Sequence, residues 1–110
     1  MDIIKEAQDI LMTGNCMPHI ASEHRNKLAG QYSFLSGILG DILARKPKTW
    51  LLLRESCKSD SQADRKYEMT DDGINEIGIR LQIKAVEKML SSFKTIIYEI
   101  KQNLKRRRNN

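Results

Sequence analysis

The chain has 110 residues, of which 40% are hydrophobic and 30% charged, and its formal net charge is +5. This length suits one domain with a modest core, and the hydrophobic fraction excludes a disordered tail. No apolar run approaches the roughly 18 residues that a membrane span requires, and the N-terminus MDIIKEAQDI has acidic residues where a secretory signal has cations. We therefore expect a cytoplasmic protein.

The distribution of charge and of helix-breaking residues is uneven. Two prolines and six glycines are the only residues that would interrupt long helices, so a helical fold is favoured over a turn-rich β fold. Four of the five net positive charges come from Lys105, Arg106, Arg107 and Arg108. The rest of the chain is close to neutral, and we treat residues 105–110 as a basic tail.

The first half of the chain predicts three helices. Apolar residues at helical spacing predict a helix over residues 2–13, which Gly14 would end. Pro18 can open the second helix, because its missing N–H would be unpaired in a first turn anyway. We expect that helix over about residues 19–46, stopped by Pro47, with a separate short helix in PKTWLLLRESC.

Two patterns in this half predict close packing. Small residues follow one another at steps of four and three along the second helix, which suggests that another backbone passes close by. They are Ala29, Ser33, Gly37, Gly40 and Ala44, which we call the small-residue row. The continuous apolar run from Trp50 to Leu53 predicts burial on several sides, with Ile74, Ile77 and Leu81 as its cover.

Capping residues mark two helix starts in the second half. Ser59 and Gln62 have capping-box spacing, which predicts a short polar helix there. Thr70 can cap a last, long helix that runs to about Lys105, and the two aspartates that follow it suit the first turn, where the helix dipole favours negative charge.

A heptad repeat in the last predicted helix is the strongest pattern in the sequence. Apolar residues occur there at alternating steps of four and three residues. They are Ile79, Ile83, Val86, Leu90, Phe93, Ile97, Ile100 and Leu104, which we call the seam. We therefore expect an all-α fold in one domain over residues 1–110: a helical bundle built on a long αα-hairpin, with a coiled-coil-like C-terminal helix.

The seam has two candidate partners. It can pack against the second helix of its own chain, or it can form an interface with another copy. The last helix is longer than its partner within the chain, and its end keeps an apolar row, Ile97, Ile100 and Leu104, that needs a cover. The N-terminal helix could supply that cover, but we expect a homo-oligomer with the seam as its interface.

Little in the sequence supports catalysis, so we expect no enzyme, no cofactor and no metal site. His19 and His24 are five residues apart, which is not the spacing of a helical metal pair. Cys16 and Cys57 match no metal-ligand spacing and are interpreted as reduced thiols. An acidic group is interleaved with cations and is interpreted as a solvated face; it contains Asp60, Asp64, Glu68, Asp71 and Asp72.

The basic end is the one feature that suggests a ligand. The candidate nucleic-acid-binding residues are Lys94, Lys101, Lys105, Arg106, Arg107 and Arg108. One or two cations satisfy a helix C-terminus, and four in succession exceed that need. Single- or double-stranded DNA could bind the surplus through its phosphates, without base readout, because we find no recognition helix or aromatic platform beside the cations. The alternative is a solubilising tail. Arg45, Lys46 and Lys48 could extend the basic surface or could be ordinary last-turn cations.

Residues 58–91 also carry a family resemblance. A K-S-D, A-x-R, aromatic and T-x-x-G run precedes a K-x-x-E-K-x-x-S helix. The matching residues are Lys58, Ser59, Asp60, Ala63, Arg65, Tyr67, Thr70, Gly73, Lys84, Glu87, Lys88 and Ser91. With KPKTW before it, the segment 58–100 resembles small phage-encoded helical proteins associated with replication and recombination genes. The resemblance covers about half the chain, excludes residues 1–18, and implies a phage origin in a host-cell cytoplasm, with no catalytic residues.

These observations lead to two hypotheses of function. The first is a non-enzymatic, oligomeric helical accessory protein that binds nucleic acid non-specifically through its basic C-terminal end, in phage DNA replication or recombination. The alternative is a protein–protein adaptor, or an inhibitor of a host enzyme, that docks through the C-terminal helix over residues 97–104. Its partner would be a host or phage protein.

Overall fold

The protein is described here by a computed structural model that covers residues 2–13 and 18–109. These residues form four helices and no strand: α1 (Asp2–Thr13), α2 (Pro18–Glu55), α3 (Asp60–Glu68) and α4 (Asp71–Asn109). The all-α fold class and the long αα-hairpin, formed by α2 and α4, are confirmed. No described helix is long and apolar enough to cross a membrane. Gly14, the predicted end of α1, lies outside the described residues.

The chain divides into two compact units. Unit 1 contains Met1–Ser33 and Lys84–Asn110, and unit 2 contains Phe34–Ile83. The organisation as one domain therefore stays a prediction.

Unit 1 has an apolar core formed by α1, the first part of α2 and the second part of α4. Its buried apolar side chains come from all three helices: Ala7, Ala21, Leu28, Val86, Met89, Phe93 and Ile97. The ring of His24 stacks on the ring of Phe93, with centroids 6.1 Å apart and an angle of 11° between the planes. Because Phe93 is fully buried, α4 is held with its seam facing inward in this unit.

Unit 2 is organised around the short helix α3. The N–H of Gln62 donates to Ser59 Oγ at 3.3 Å, and the Gln62 side chain accepts from the N–H of Lys58 at 2.9 Å, so the predicted cap is confirmed. At the start of α4, the N–H of Gly73 donates to Thr70 Oγ1 at 3.0 Å, which confirms the second cap. The helix α4 then runs to Asn109, four residues beyond the predicted end.

Gly73 allows the end of α3 to touch the start of α4. A Cβ at this position would collide with the carbonyl oxygen of Tyr67 and would lie 2.8 Å from the Cα of Glu68. Both of these are backbone atoms, which cannot rotate away as a side chain could. A residue without a Cβ is therefore required at Gly73 for this turn to form.

Helix α2 does not stop at Pro47, which corrects the prediction of two separate helices. The missing N–H of a mid-helix proline costs about 3 kcal/mol, so other contacts must hold the helix together. Arg45 and Trp50, on either side of the proline, bind Asp72 and Asp64. These contacts with α4 and α3 fix both halves of the helix and offset the local cost.

Two predictions of close packing in unit 2 are wrong. The apolar run that begins at Trp50 is not enclosed, because Leu51 and Leu52 are exposed, and so are the three residues expected to cover it, Ile74, Ile77 and Leu81. In the small-residue row, no atom lies within 4 Å of a Cβ built at Gly37 or Gly40. The predicted close backbone is therefore absent from the described part of the chain, and this side of α2 is open.

Candidate nucleic-acid interface

The second half of α4 presents cations to solvent beside a face of the helix that is held in the core of unit 1. Lys94, Lys101 and Lys105 lie at steps of seven and four residues, which places them on one face of the helix. All three are exposed, whereas Phe93 and Ile97 on the adjacent face are buried. The core therefore fixes the direction of the lysines.

Two arginines extend this positive surface around the helix. Arg106 and Arg107 are both exposed, and successive residues point about 100° apart because an α-helix has 3.6 residues per turn. Arg108 belongs to α4, but its side chain lies outside the described part of the chain. We define the basic end as Lys94, Lys101, Lys105, Arg106 and Arg107.

No cation of the basic end forms an ion pair with a residue that the structure describes. The pairs found there join Lys27 to Glu23 in unit 1 and involve four cations of unit 2. Exposed cations without a carboxylate partner keep their full charge for a ligand. The basic end is therefore the part of the described surface best suited to attract a polyanion.

Tyr98 is an aromatic residue of this surface that was not predicted from the sequence as a site residue. Tyr98 is 63% exposed and lies between Lys94 and Lys101 on the same side of α4. The expectation that no aromatic platform accompanies the cations stays untested, but an exposed ring does lie beside them. Its position four residues after Lys94 and three before Lys101 was visible in the sequence, but nothing there separated it from the buried apolar residues around it.

A shallow surface pocket lies beside this tyrosine. It is lined by Tyr98, Glu99, Gln102, Asn103 and Arg106. An aromatic ring, two amides, one cation and one carboxylate thus meet on one flank of the helix. The amides can both donate and accept hydrogen bonds, so the pocket has the chemistry to bind a flat, polar group of a ligand.

The seam is covered by its own chain in the middle of its length. Val86 and Phe93 are fully buried, Ile97 is nearly so, and Ile100 is half-buried, whereas Leu104 is 48% exposed. The predicted interface is corrected for the buried residues, which serve the core of unit 1. Leu104 at the end of the seam is exposed, and Ile79, Ile83 and Leu90 are half-buried.

The second basic group of the sequence is largely neutralised within unit 2. Arg45 donates from Nε and Nη2 to the two carboxylate oxygens of Asp72, at 3.1 and 3.0 Å. Lys46 Nζ lies 3.3 Å from the carboxylate of Glu76, and it also lies 4.8 Å from the centre of the Tyr67 ring. These two cations hold the helices of unit 2 together, so their charge is used within that unit.

Four of the five residues of the acidic group are exposed, as expected of a solvated face, and three of its carboxylates also bind other helices. Asp64 accepts a 2.7 Å hydrogen bond from Trp50 Nε1, and Asp60 accepts one of 2.7 Å from Arg54 Nε. The hydrogen bond from Arg45 lowers the pKa of Asp72 and raises the pKa of Arg45. The carboxylates are therefore used to join α2 to α3 and α4.

Burial changes the acidity of the tyrosine at the centre of unit 2. Desolvation is the main reason why the pKa of the Tyr67 phenol is raised, and the nearby charge of Glu76 adds to it. Glu76 is itself buried between two cations, Lys46 and Arg80. We interpret this cluster as a polar core of unit 2.

The candidate residues for metal and thiol chemistry are dispersed. His24 is buried in the core of unit 1, whereas His19 is exposed. Among the described residues, no group of three His, Cys, Asp or Glu side chains could hold a metal ion. Cys57 is a free thiol, and Cys16 lies outside the described residues.

Comparison of the chain with protein-family models, with curated proteins and with solved structures found no match.

Proposed function

We propose that this protein is a non-enzymatic helical accessory factor that binds nucleic acid, without base readout, through the basic end of α4. The observation that carries the proposal is a set of exposed cations on rigid helical turns that form no ion pair with a described residue. The resemblance of segment 58–100 to small phage proteins supports a setting in phage DNA replication or recombination, in a host-cell cytoplasm.

The physics of this binding is electrostatic. Cations that neutralise phosphates release condensed counterions, so affinity falls with salt by a log–log slope of about −0.9 for each contact on duplex DNA. Lys101, Lys105, Arg106 and Arg107 would then give a slope of about −3 to −4. Contacts to phosphates carry no sequence information, so the sequence of the DNA should matter little.

The test is a salt titration of DNA binding, followed by fluorescence anisotropy. In the test variant, Lys101, Lys105, Arg106 and Arg107 are all replaced by glutamine. In a matched control, four exposed and unpaired cations of unit 2 are replaced instead; they are Lys48, Lys58, Arg65 and Lys66. Both variants lose the same net charge.

We expect the test variant to lose most of its affinity and of its salt slope, and the control to retain both. An equal loss in the two variants would show that overall charge attracts the DNA and that the basic end has no special part. Wild-type protein that binds neither single- nor double-stranded DNA at about 0.1 M salt, where the Debye length is about 10 Å, would reject the proposal outright.

Self-association is a further part of the proposal, since several basic ends on one assembly would gain affinity through avidity. The seam is largely covered, so we place the contact on the outer row of α4, formed by Ile74, Ile77 and Leu81, which are all about half exposed or more. The partner we propose is a second, antiparallel copy of this row. Ile74 would then face Leu81, and the open position at Gly78 would let the helices approach closely.

Light scattering at several protein concentrations, in low and high salt, would test this assembly. We expect Ile77→Glu to convert the assembly to monomer, because a charge would be buried at its centre. The control is Leu104→Glu, which places the same charge on the exposed end of the seam. If only Leu104→Glu dissociates the protein, the contact lies at the seam; a wild-type monomer at every concentration rejects self-association.

The alternative function, an adaptor or host-enzyme inhibitor that docks through residues 97–104, has less support. Ile97 is buried and Ile100 half-buried, so Leu104 is the only well-exposed seam residue of this stretch. Tyr98 is the other large exposed side chain of the stretch, and these two side chains offer too little apolar area for a stable protein interface. We therefore favour nucleic-acid binding.

A further inference from the structure

We infer that the pocket beside Tyr98 receives one unpaired nucleobase, so that the basic end prefers single-stranded to double-stranded nucleic acid. This inference rests on the proposed function and adds the class of nucleic acid to it. Three features of the described surface carry it: an exposed aromatic ring between cations, a flank of the helix that places amides and a cation beside the ring, and a carboxylate that can accept hydrogen bonds from a base.

The first feature is the position of the ring. Tyr98 is 63% exposed, and it forms no hydrogen bond with a described residue. It lies one turn from Lys94 on one side and one turn from Lys101 on the other. A strand whose phosphates follow the lysines would therefore pass its bases close to the phenol ring, and base stacking on an aromatic side chain is tolerant of sequence.

The second feature is the arrangement along the flank of the helix. Tyr98, Gln102 and Arg106 are spaced four residues apart, so they lie one above the other on successive turns. Beside them, Asn103 adds a second amide to the pocket. The amides match the mixed donors and acceptors on the edge of a base, and Arg106 can contact a phosphate next to it.

The third feature is the carboxylate of Glu99, which also lines the pocket. A carboxylate repels a phosphate but accepts hydrogen bonds from the amino group of a base. The phosphates are therefore directed to the lysine row and an uncharged base to the pocket. In a duplex the face of each base is covered by its stacked neighbours, so the ring of Tyr98 could stack only on an unpaired base.

The test compares two substitutions at Tyr98 on two probes: a mixed-sequence single-stranded DNA, and the same strand in a duplex. Tyr98→Leu keeps apolar bulk but removes the ring, and Tyr98→Phe keeps the ring. Because Tyr98 is exposed, neither change disturbs the core. We expect Tyr98→Leu to weaken single-strand binding by about tenfold, as loss of one base stack does. Duplex binding should stay unchanged, and Tyr98→Phe should behave as wild type.

The outcomes separate this inference from the function on which it rests. If the wild type binds both probes and Tyr98→Leu leaves single-strand affinity unchanged, the stacking site is rejected and the electrostatic function stands. An equal loss on both probes also rejects it, because it shows a general change of the helix end. If the wild type binds neither probe, the proposed function fails, and the inference fails with it.

Discussion

The two units of this chain differ in which side chains they leave exposed and unpaired. Unit 1 buries most of its large apolar side chains, with Phe93, Leu28 and Val86 fully enclosed, and the cations of its basic end form no ion pair with a described residue. Unit 2 uses four of its cations in ion pairs and leaves a set of large apolar side chains exposed. These are Phe34, Leu51, Leu52, Met69, Ile74, Ile77 and Leu81.

This difference indicates what each unit can bind. Cations that stabilise helix contacts are unavailable to a ligand, whereas those of the basic end are free to meet one. Conversely, large apolar side chains that a core encloses cannot form an interface, and those left outside in unit 2 can. A polyanion is therefore expected at unit 1 and an apolar surface, such as a second copy, at unit 2.

The largest expected effect is a cavity in the core of unit 1. Phe93→Ala should lower the free energy of unfolding by about 3–5 kcal/mol, because a fully buried ring is removed and its neighbours relax only partly. The matched control is Phe34→Ala in unit 2. Phe34 is 62% exposed, so its loss should change stability by less than about 1 kcal/mol.

Urea denaturation, followed by the far-ultraviolet circular dichroism signal, measures both variants. Equal losses would contradict the comparison between the units, because they would show that the ring of Phe34 is packed as tightly as that of Phe93.

The next effect is expected at the turn between α3 and α4. Gly73→Ala should cost about 1–3 kcal/mol, because its Cβ meets the backbone of Tyr67 and Glu68 and forces the helices apart. The control is Gly40→Ala in α2 of the same unit: apart from the backbone of its own helix, no described atom lies within 4 Å of its Cβ, so it should stabilise the protein by about 0.5–1 kcal/mol. Thermal melts would show whether each substitution raises or lowers the melting temperature. A Gly73→Ala variant that is more stable than the wild type would contradict the described turn.

Local signals in the sequence predicted much of the fold. The cap at Ser59 and the cap at Thr70 depend on residues within one helical turn, so their chemistry can be read without the tertiary structure. The seam likewise follows from periodicity alone, since apolar residues every three to four positions must face a partner.

Properties that depend on distant residues could not be predicted. Helix α2 continues through Pro47 because Asp72 and Asp64, far along the chain, hold its two halves. The choice between a partner within the chain and a second copy for the seam depends on which helix lies beside it. The role of Tyr98 depends on its exposure, and a tyrosine among apolar residues is as easily buried as exposed.

A third prediction concerns the pH dependence of unit 2. The hydrogen bond from Arg45 lowers the pKa of Asp72 in the folded chain. The pair therefore contributes stability that is complete above the ordinary aspartate pKa of about 3.9 and is lost as the pH falls through the lower folded value. Asp72→Asn should destabilise the protein at neutral pH. As the pH is lowered, the melting temperature of this variant should fall less than that of the wild type.

The control for this effect is Asp71→Asn. Asp71 also lies in the first turn of α4, where a carboxylate interacts with the helix dipole, but it forms no ion pair with a described residue. If the melting temperatures of the two variants depend on pH in the same way, the loss of stability in acid is explained by the helix dipole and not by the bidentate contact with Arg45.

The smallest expected effect tests the comparison most directly. If the cations of the basic end are free, replacing Arg106 and Arg107 by glutamine should leave the free energy of unfolding within about 0.5 kcal/mol of wild type. A paired cation behaves differently: Arg54 donates to Asp60 at 2.7 Å and to the carbonyl of Cys57 at 2.8 Å, so Arg54→Gln should cost about 1 kcal/mol.

Urea denaturation at about 0.5 M salt would measure both variants. This salt shortens the Debye length below 10 Å and so removes most of the interaction between the arginines and the helix dipole. A loss for the arginine pair as large as that for Arg54→Gln would show that these cations hold the fold together, and the basic end would then have no surplus charge to offer a nucleic acid.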